Sequence, residues 1–263
     1  MDEINVLKKE IEELKTKLKE TEQESRQYLQ NVAHQLTAPL GAIKWNIESL
    51  QDENVPIKRK QILLRSIYSQ ATILVHLIKN FSLMSNLEAD HELGQFREQP
   101  EPIDVKRLCI NLSNDFQPQA QERKIKIIVD DDSFKKIFGE KRFLSITKNL
   151  VAQAISNIIE NAVKYSDSYT NININCEKSK TNLFVNVENT GLPILSEEIP
   201  RLTERRFRGK AAKQKFPAGT GIGLFLASRV MDLHGGRIEI RTTSKSNIFS
   251  LVFPTERIVT ANK

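Results

Sequence analysis

Leu7, Ile11, Leu14, Leu18, Thr21, Ser25 and Tyr28 recur at alternating spacings of four and three, the seam of a helix that packs lengthwise against another helix. The positions between them are mostly Lys and Glu, as on exposed coiled-coil faces. A second seam, Leu29, Ala33, Leu36, Leu40, Ile43, Ile47 and Leu50, follows with an offset of one residue, as where a two-stranded coil hands over to a thicker bundle. Asp52, Asn54 and Pro56 mark a turn over 51–57, and Leu63, Ile67, Gln70, Leu74, Leu77, Phe81 and Met84 form a third seam. Two helices with one seam each bury little as an isolated hairpin, whereas two copies complete a four-helix bundle, so the pattern predicts a homodimer.

Behind the seams the pattern changes. Seven of the ten glycines fall between Gly191 and Gly236, while the first 90 residues hold only Gly41. Alternation predicts strands over 125–129, 171–176, 183–187, 237–242 and 248–253, and apolar periodicity predicts helices over 150–165 and 221–234. The fold class expected is therefore α plus α+β. An antiparallel coiled-coil hairpin, half of a four-helix-bundle dimerisation domain, is followed by an α/β sandwich with helices on one side of a mostly antiparallel sheet.

Composition narrows the function classes. The chain has 263 residues, 39% of them apolar and 27% charged, enough for more than one core. No run approaches the roughly 18 apolar residues of a membrane helix, and no secretory signal opens the chain. Cys109 and Cys176 are too far apart in sequence for a disulfide framework or a cysteine zinc site. A cytoplasmic protein is expected, or the cytosolic part of a longer, membrane-tethered one. The net charge of +6 is concentrated: Arg201, Arg205, Arg206, Arg208, Lys210, Lys213 and Lys215 stand against Glu204 alone. A nucleic-acid binder spreads its basic residues along a face, so no nucleic acid is expected, and a compact basic loop better suits a small polyphosphate.

Four constellations carry chemistry. His34 lies at the edge of the second seam, partly open to solvent, and Pro39 removes a helical amide and crowds the carbonyl of Gln35. Asn157, Asn161 and Lys164, at i, i+4 and i+7, share one face of an otherwise apolar helix. A carboxamide oxygen there suits Mg²⁺ and an ammonium suits phosphate oxygens. Asn189 ends a strand with Gly191 two residues on and offers an oxygen to an amino group such as adenine's. Gly219-Thr220-Gly221-Ile222-Gly223-Leu224 opens a helix whose bare amides admit phosphate, without the Lys-Ser/Thr ending of a Walker loop.

In this order and at these spacings, the motifs resemble those of the sensor histidine kinases of two-component signalling, over roughly residues 28–254. The surroundings of His34 look like the H box, 157–165 like the N box, 189–194 and 219–224 like the two G boxes, 202–209 like the F box, and His234-Gly235-Gly236 is also typical. The resemblance implies a signalling coiled coil over 1–30, a dimerisation and phosphotransfer hairpin over 31–92, and over 93–263 an ATP-binding domain of the gyrase, Hsp90 and MutL type. It implies that His34 accepts the γ-phosphoryl group of ATP and passes it to an aspartate of a response regulator receiver domain. Asn161 would hold Mg²⁺ with Asn157 and Lys164 beside it, Tyr165 would flank the nucleotide, and Asn189 with Gly191 would read adenine. Gly219, Gly221 and Gly223, with Thr220 and Leu224, would hinge a lid over 192–218 whose basic residues, Arg208 among them, face the triphosphate.

Departures from the family at Gln35, Ala38 and Asn189 shape the expected chemistry, the last standing where Asp is commoner in the first G box. Gln35 stands where an acid usually takes the ring proton; it can orient the ring but not act as base, which predicts slowed autophosphorylation and leaves as alternative a weakly active or non-catalytic nucleotide-binding scaffold. Ala38 stands where phosphatase activity often uses Thr or Asn. An amide, Asn157, occupies the place of the glutamate base of related ATPases, and Glu160 is turned about 100° from Asn161 on the helix, which favours transfer over hydrolysis.

Overall fold

The structure, a computed structural model, describes residues 2–52, 54–93, 99–139, 141–217, 219–243 and 245–260. The side chains of the seam residues Leu7, Thr21, Ser25 and Tyr28, and residue 218 of the expected lid, lie outside the described residues.

The front is two long helices. α1 (Asp2–Leu50) runs unbroken through the seam offset and through Pro39, so the expected division near residue 30 falls inside one helix. Shifting an apolar stripe by one position leaves the backbone ladder intact, which is why a change of seam need not break a helix. The turn forms as its residues suggest: Asp52 Oδ1 accepts from the Asn54 N–H at 2.9 Å, and the Pro56 carbonyl accepts from Arg59 and Lys60. α2 (Ile57–Leu93) returns alongside α1, and the buried Asn46 donates to Ser66 Oγ across the pair at 3.0 Å. On the single chain, seam residues Leu29, Leu40 and Ile47 remain 55%, 51% and 46% exposed, leaving the face that a second helix pair would cover.

The back is a layered α/β unit. β1 (Glu101–Ile103), α3 (Val105–Glu122), β2 (Lys126–Val129), α4 (Asp131–Phe138), β3 (Arg142–Ile146), α5 (Lys148–Tyr165), β4 (Asn171–Lys178), β5 (Asn182–Asn189), α6 (Lys210–Lys215), α7 (Gly223–Leu233), β6 (Arg237–Thr242), β7 (Asn247–Pro254) and β8 (Ile258–Thr260) follow in order. The larger sheet has the order β2-β4-β5-β7-β6, antiparallel except for the parallel pair β2–β4. A small sheet, β1-β3-β8, stands apart from it. That sheet, α3 and α4 were not among the sequence expectations. α3 starts where Asp104 caps it, accepting from the Arg107 N–H at 3.0 Å.

α5 is the central helix, flanked by α3 and α7 and packed on β5. Val151, Ala154, Ile155, Ile158, Ile159 and Val163 are fully buried there, facing strand residues such as Ile172, Val185 and Leu251. Its N-cap, Thr147, makes no side-chain cap; instead its N–H donates to His234 Nε2 at 3.0 Å, while His234 Nδ1 donates to the Val230 carbonyl at 2.7 Å. The hairpin is not separate from this unit, because α2 packs against α3, α5 and α7. That contact sets what faces the site.

Candidate functional site

One cavity gathers most of the sequence candidates. Asn157, Asn161, Lys164 and Tyr165 from α5 line it, with Asn189 from β5, Arg208 from the lid, and Gly219, Thr220, Gly221, Gly223 and Leu224 at the start of α7. Gln35 from α1 and Leu77 and Asn80 from α2 complete the wall. His34 is not in the wall: it is exposed on α1 beside Gln35. Gly191 is behind it. A Cβ at Gly191 would stand 2.1 Å from the Tyr165 carbonyl, because the loop after β5 is laced to the end of α5. Leu192 N–H donates to the Tyr165 carbonyl at 3.0 Å, and Asp167 N–H to that of Thr190 at 2.9 Å. That lacing brings the buried Asn189 to Ser166, whose Oγ accepts from Asn189 Nδ2 at 3.2 Å.

Each wall has its own polarity. Asn189 pairs across the sheet with Asn247, so two amides face the same end of the cavity; Asn247 Nδ2 is occupied by the Leu192 carbonyl at 2.9 Å. Lys164 Nζ lies 5.6 Å from the Tyr165 ring centroid and 5.4 Å from that of Phe216. Burial lowers the Lys164 ammonium below its usual range, Glu160 opposes this, and Arg208 adds to it. Burial raises the Tyr165 phenol, and Arg208 nearby pulls the other way. Gly221, at a positive φ of 67°, closes the base of the lid: its carbonyl accepts from the Arg206 N–H at 3.0 Å, and a Cβ would strike the Arg206 and Phe207 backbone at 2.8 Å.

Two expectations are corrected. The lid's basic residues do not all point at the cavity. Arg208 donates to the carbonyls of Ala212 (3.0 Å), Pro217 (2.8 Å), Gly219 (3.1 Å) and Phe216. Arg201 pairs with Glu204 at 3.1 Å and stacks on Phe207. A guanidinium has five donors and no acceptor, so unpaired lid carbonyls draw it in. Glu160 is also not turned away; it stands in the cavity wall, 2.9 Å from His76 Nε2. Burial raises its carboxyl, but the hydrogen bond from His76, with Lys164 nearby, outweighs this and holds it below the usual range. The sequence reading missed His76, Asn80, Gln153, Glu160 as a wall residue, and Asn247. His76 stands seven residues from Ser69 and from Leu83, and all three are buried, but one polar residue at that spacing is no signal by itself.

Among the described residues no helix is long and apolar enough to cross a membrane. The chain matches two family models: the His Kinase A (phospho-acceptor) domain over residues 24–90 and the histidine kinase-, DNA gyrase B- and HSP90-like ATPase over 146–257. It is 27% identical to the phosphate regulon sensor protein PhoR of Pseudomonas aeruginosa over 94% of this chain and 54% of that protein. It is also 27% identical to the heme sensor protein HssS of Staphylococcus aureus over 98% of this chain and 53% of that one. The chain thus spans about half the length of these relatives. In fold it is similar to the Acinetobacter baumannii histidine kinase AdeS (TM-score 0.51, 19% identity, 84% of this chain, 97% of that chain). It is likewise similar to full-length ShkA, solved in complex with AMPPNP (TM-score 0.55, 16% identity, 90% of this chain, 47% of that chain). None of these findings favours the non-catalytic alternative. A phospho-acceptor hairpin followed by an ATPase-like layer, in one chain and in this order, makes the protein a member of the sensor histidine kinases, the ATP-dependent protein histidine kinases of two-component systems.

Proposed function

We propose that this chain is a histidine autokinase core that phosphorylates His34 from Mg-ATP and passes the phosphoryl group to an aspartate on a response regulator. One observation carries the reading: Gln35, next to His34, lines the same cavity as Asn157, Asn161 and Lys164. The cavity suits a triphosphate on chemical grounds. The amide NH₂ of Asn157 is buried and unpartnered, bare glycine backbone opens α7, and a helix start favours anions.

Lys164 Nζ and the amides at the start of α7 take phosphate oxygens. Asn161 Oδ1 is a hard, neutral oxygen that would hold Mg²⁺. When bound, the metal neutralises charge developing on the transferred group. Asn189 and Asn247 face the adenine end, and Tyr165 flanks the nucleotide. A ring nitrogen of neutral His34 forms the N–P bond as the bond from the γ-phosphorus to the bridging oxygen breaks, and that oxygen leaves on ADP. The ring proton goes to water, since Gln35 can orient the imidazole but not take its proton.

The half-open seam of Leu29, Leu40 and Ile47 receives a second copy, making a homodimer. The chain acts on the cytoplasmic side, as the kinase portion of a longer sensor. Incubation with γ-labelled ATP tests the reading. Acid-labile, base-stable label that is lost in His34→Ala is expected; unlabelled protein that still binds ATP, or steady phosphate release without label, overturns it.

A further inference from the structure

Gln153, Asn157, Glu160, Asn161 and Lys164 lie along one side of α5. Asn161 and Lys164 open to the cavity, whereas the beginning of this polar stripe is covered by α2. There His76, only 5% exposed, meets three of its members at once. Nε2 stands 2.9 Å from Asn157 Oδ1 and 2.9 Å from Glu160 Oε2. Nδ1 stands 3.1 Å from Gln153 Nε2. Two oxygens that accept and one amide nitrogen that donates fix the ring, with its hydrogen on Nε2 and its lone pair on Nδ1. The second hydrogen of Gln153 Nε2 goes to Asn80 Oδ1 at 2.8 Å, Asn80 Nδ2 lies 3.3 Å from His76 Nε2 beside the two oxygens, and Phe116 packs edge-on against the ring, centroids 5.6 Å apart.

Two consequences reach the cavity. With Oδ1 taken by His76, Asn157, which lines the cavity, is left with an NH₂ group that is buried without a protein partner. A buried donor left unmade is costly, so the site is set to receive an acceptor there. Glu160, a carboxylate in the wall of a cavity that takes phosphates, has its charge held on the His76 N–H.

We propose that His76 is a positioning residue for the nucleotide site: it orients Asn157 so that the amide NH₂ meets a phosphate oxygen, and it masks Glu160 from the same phosphates. The proposal rests on the nucleotide reading of the cavity and adds to it a group from the helical hairpin. It makes phosphate affinity depend on a side chain outside the ATPase-like layer.

Calorimetric titration of the whole chain with ADP, in EDTA and again in magnesium, tests it on the wild type, His76→Ala, His76→Gln and the double variant His76→Ala/Glu160→Gln. Loss of a hydrogen bond to a charged group is expected to weaken ADP about tenfold in His76→Ala. His76→Gln, which keeps an N–H for Asn157 and Glu160 and an oxygen for Gln153, restores most of that loss. The double variant regains several-fold over His76→Ala, because the unmasked charge is gone. Unchanged affinity in His76→Ala, or a double variant no better than the single, overturns the proposal while leaving nucleotide binding intact. A wild type that binds no ADP in either buffer overturns the nucleotide reading and this proposal together. Should His76→Ala not fold, the side-chain NH₂ resonances of Asn157 in ¹⁵N-labelled wild type decide. A shift on ADP addition is expected, and resonances unmoved in the ADP complex overturn the assignment.

Discussion

The two helices that carry the site, α1 and α5, are built in opposite ways. α1 holds His34 in solvent, on a helix whose neighbouring seam residue Leu40 is still 51% exposed. α5 is buried along nearly its whole length, and even its polar Asn157 is 1% exposed. The contrast fits the work proposed for each, His34 as the nucleophile and the α5 groups as the holders of phosphate. A nucleophile has to travel to a phosphorus and later to a second protein, so it sits on a surface. Groups that position phosphates must already be still when the ligand arrives, so they are fixed by neighbours on every side. Stability and reactivity are thereby housed in different helices.

The contrast is broken most directly by truncating one side chain on each helix. Ile158→Ala, deep in α5, is expected to lower unfolding stability by about 3 kcal/mol through lost burial and the cavity left behind. Leu40→Ala on α1 should cost the monomer within about 0.5 kcal/mol, as exposed sites do. Denaturant midpoints measured at a concentration that keeps the chain monomeric check this; equal losses would erase the distinction.

A second variant sharpens the reactive side. Gln35→Glu places a base beside His34, and positioned bases contribute on the order of a hundredfold or more. An initial rate of autophosphorylation raised at least about tenfold is expected, and a rate unchanged or lowered would show that the ring proton is not what slows transfer.

The smallest effect concerns how α5 begins. Burial lowers the basicity of His234, the Val230 carbonyl opposes this, and Arg257 adds to the lowering. Its neutral ring accepts the Thr147 N–H at the N-cap of α5; a protonated ring would present an N–H there instead. Because the folded value lies below the unfolded one of 6.5, this contribution is complete above that pH. It declines as pH falls through the folded value. Thermal midpoints between pH 7.5 and 5 should drop toward acid. A flat curve would mean that His234 does not secure the start of α5.

Legibility from sequence followed the same division. The hairpin could be read because a 3.5-residue period over many turns leaves few alternatives, and the turn because Asp52, Asn54 and Pro56 each have a local reason to be there. The α5 face could be read because two amides and a lysine at helical spacing stand out against isoleucines. β1 and β8 could not, being three residues each, too short to show alternation. α3 was obscured by Pro118 near its end and by the polar residues of its outer face. His76 was hidden for a different reason. Its partners Gln153, Asn157 and Glu160 lie some eighty positions along the chain, and one polar residue between Val75 and Leu77 lies off the third seam. Charge brought Arg208 to the cavity, which it lines, but sequence does not reveal the lid carbonyls that it holds there.

Arg208 has a bearing on how a ligand gets in and out. One guanidinium staples the main-chain oxygens of Ala212, Phe216, Pro217 and Gly219, so these parts of the flap are held together as one plate. Ordering a floppy segment costs about 1–2 kcal/mol per residue, and here that ordering precedes the ligand's arrival. The traffic is then set by the pivot, where Arg206 and Gly221 hold left-handed backbone angles side by side, and a substitution at the pivot would alter residence time before it altered fit.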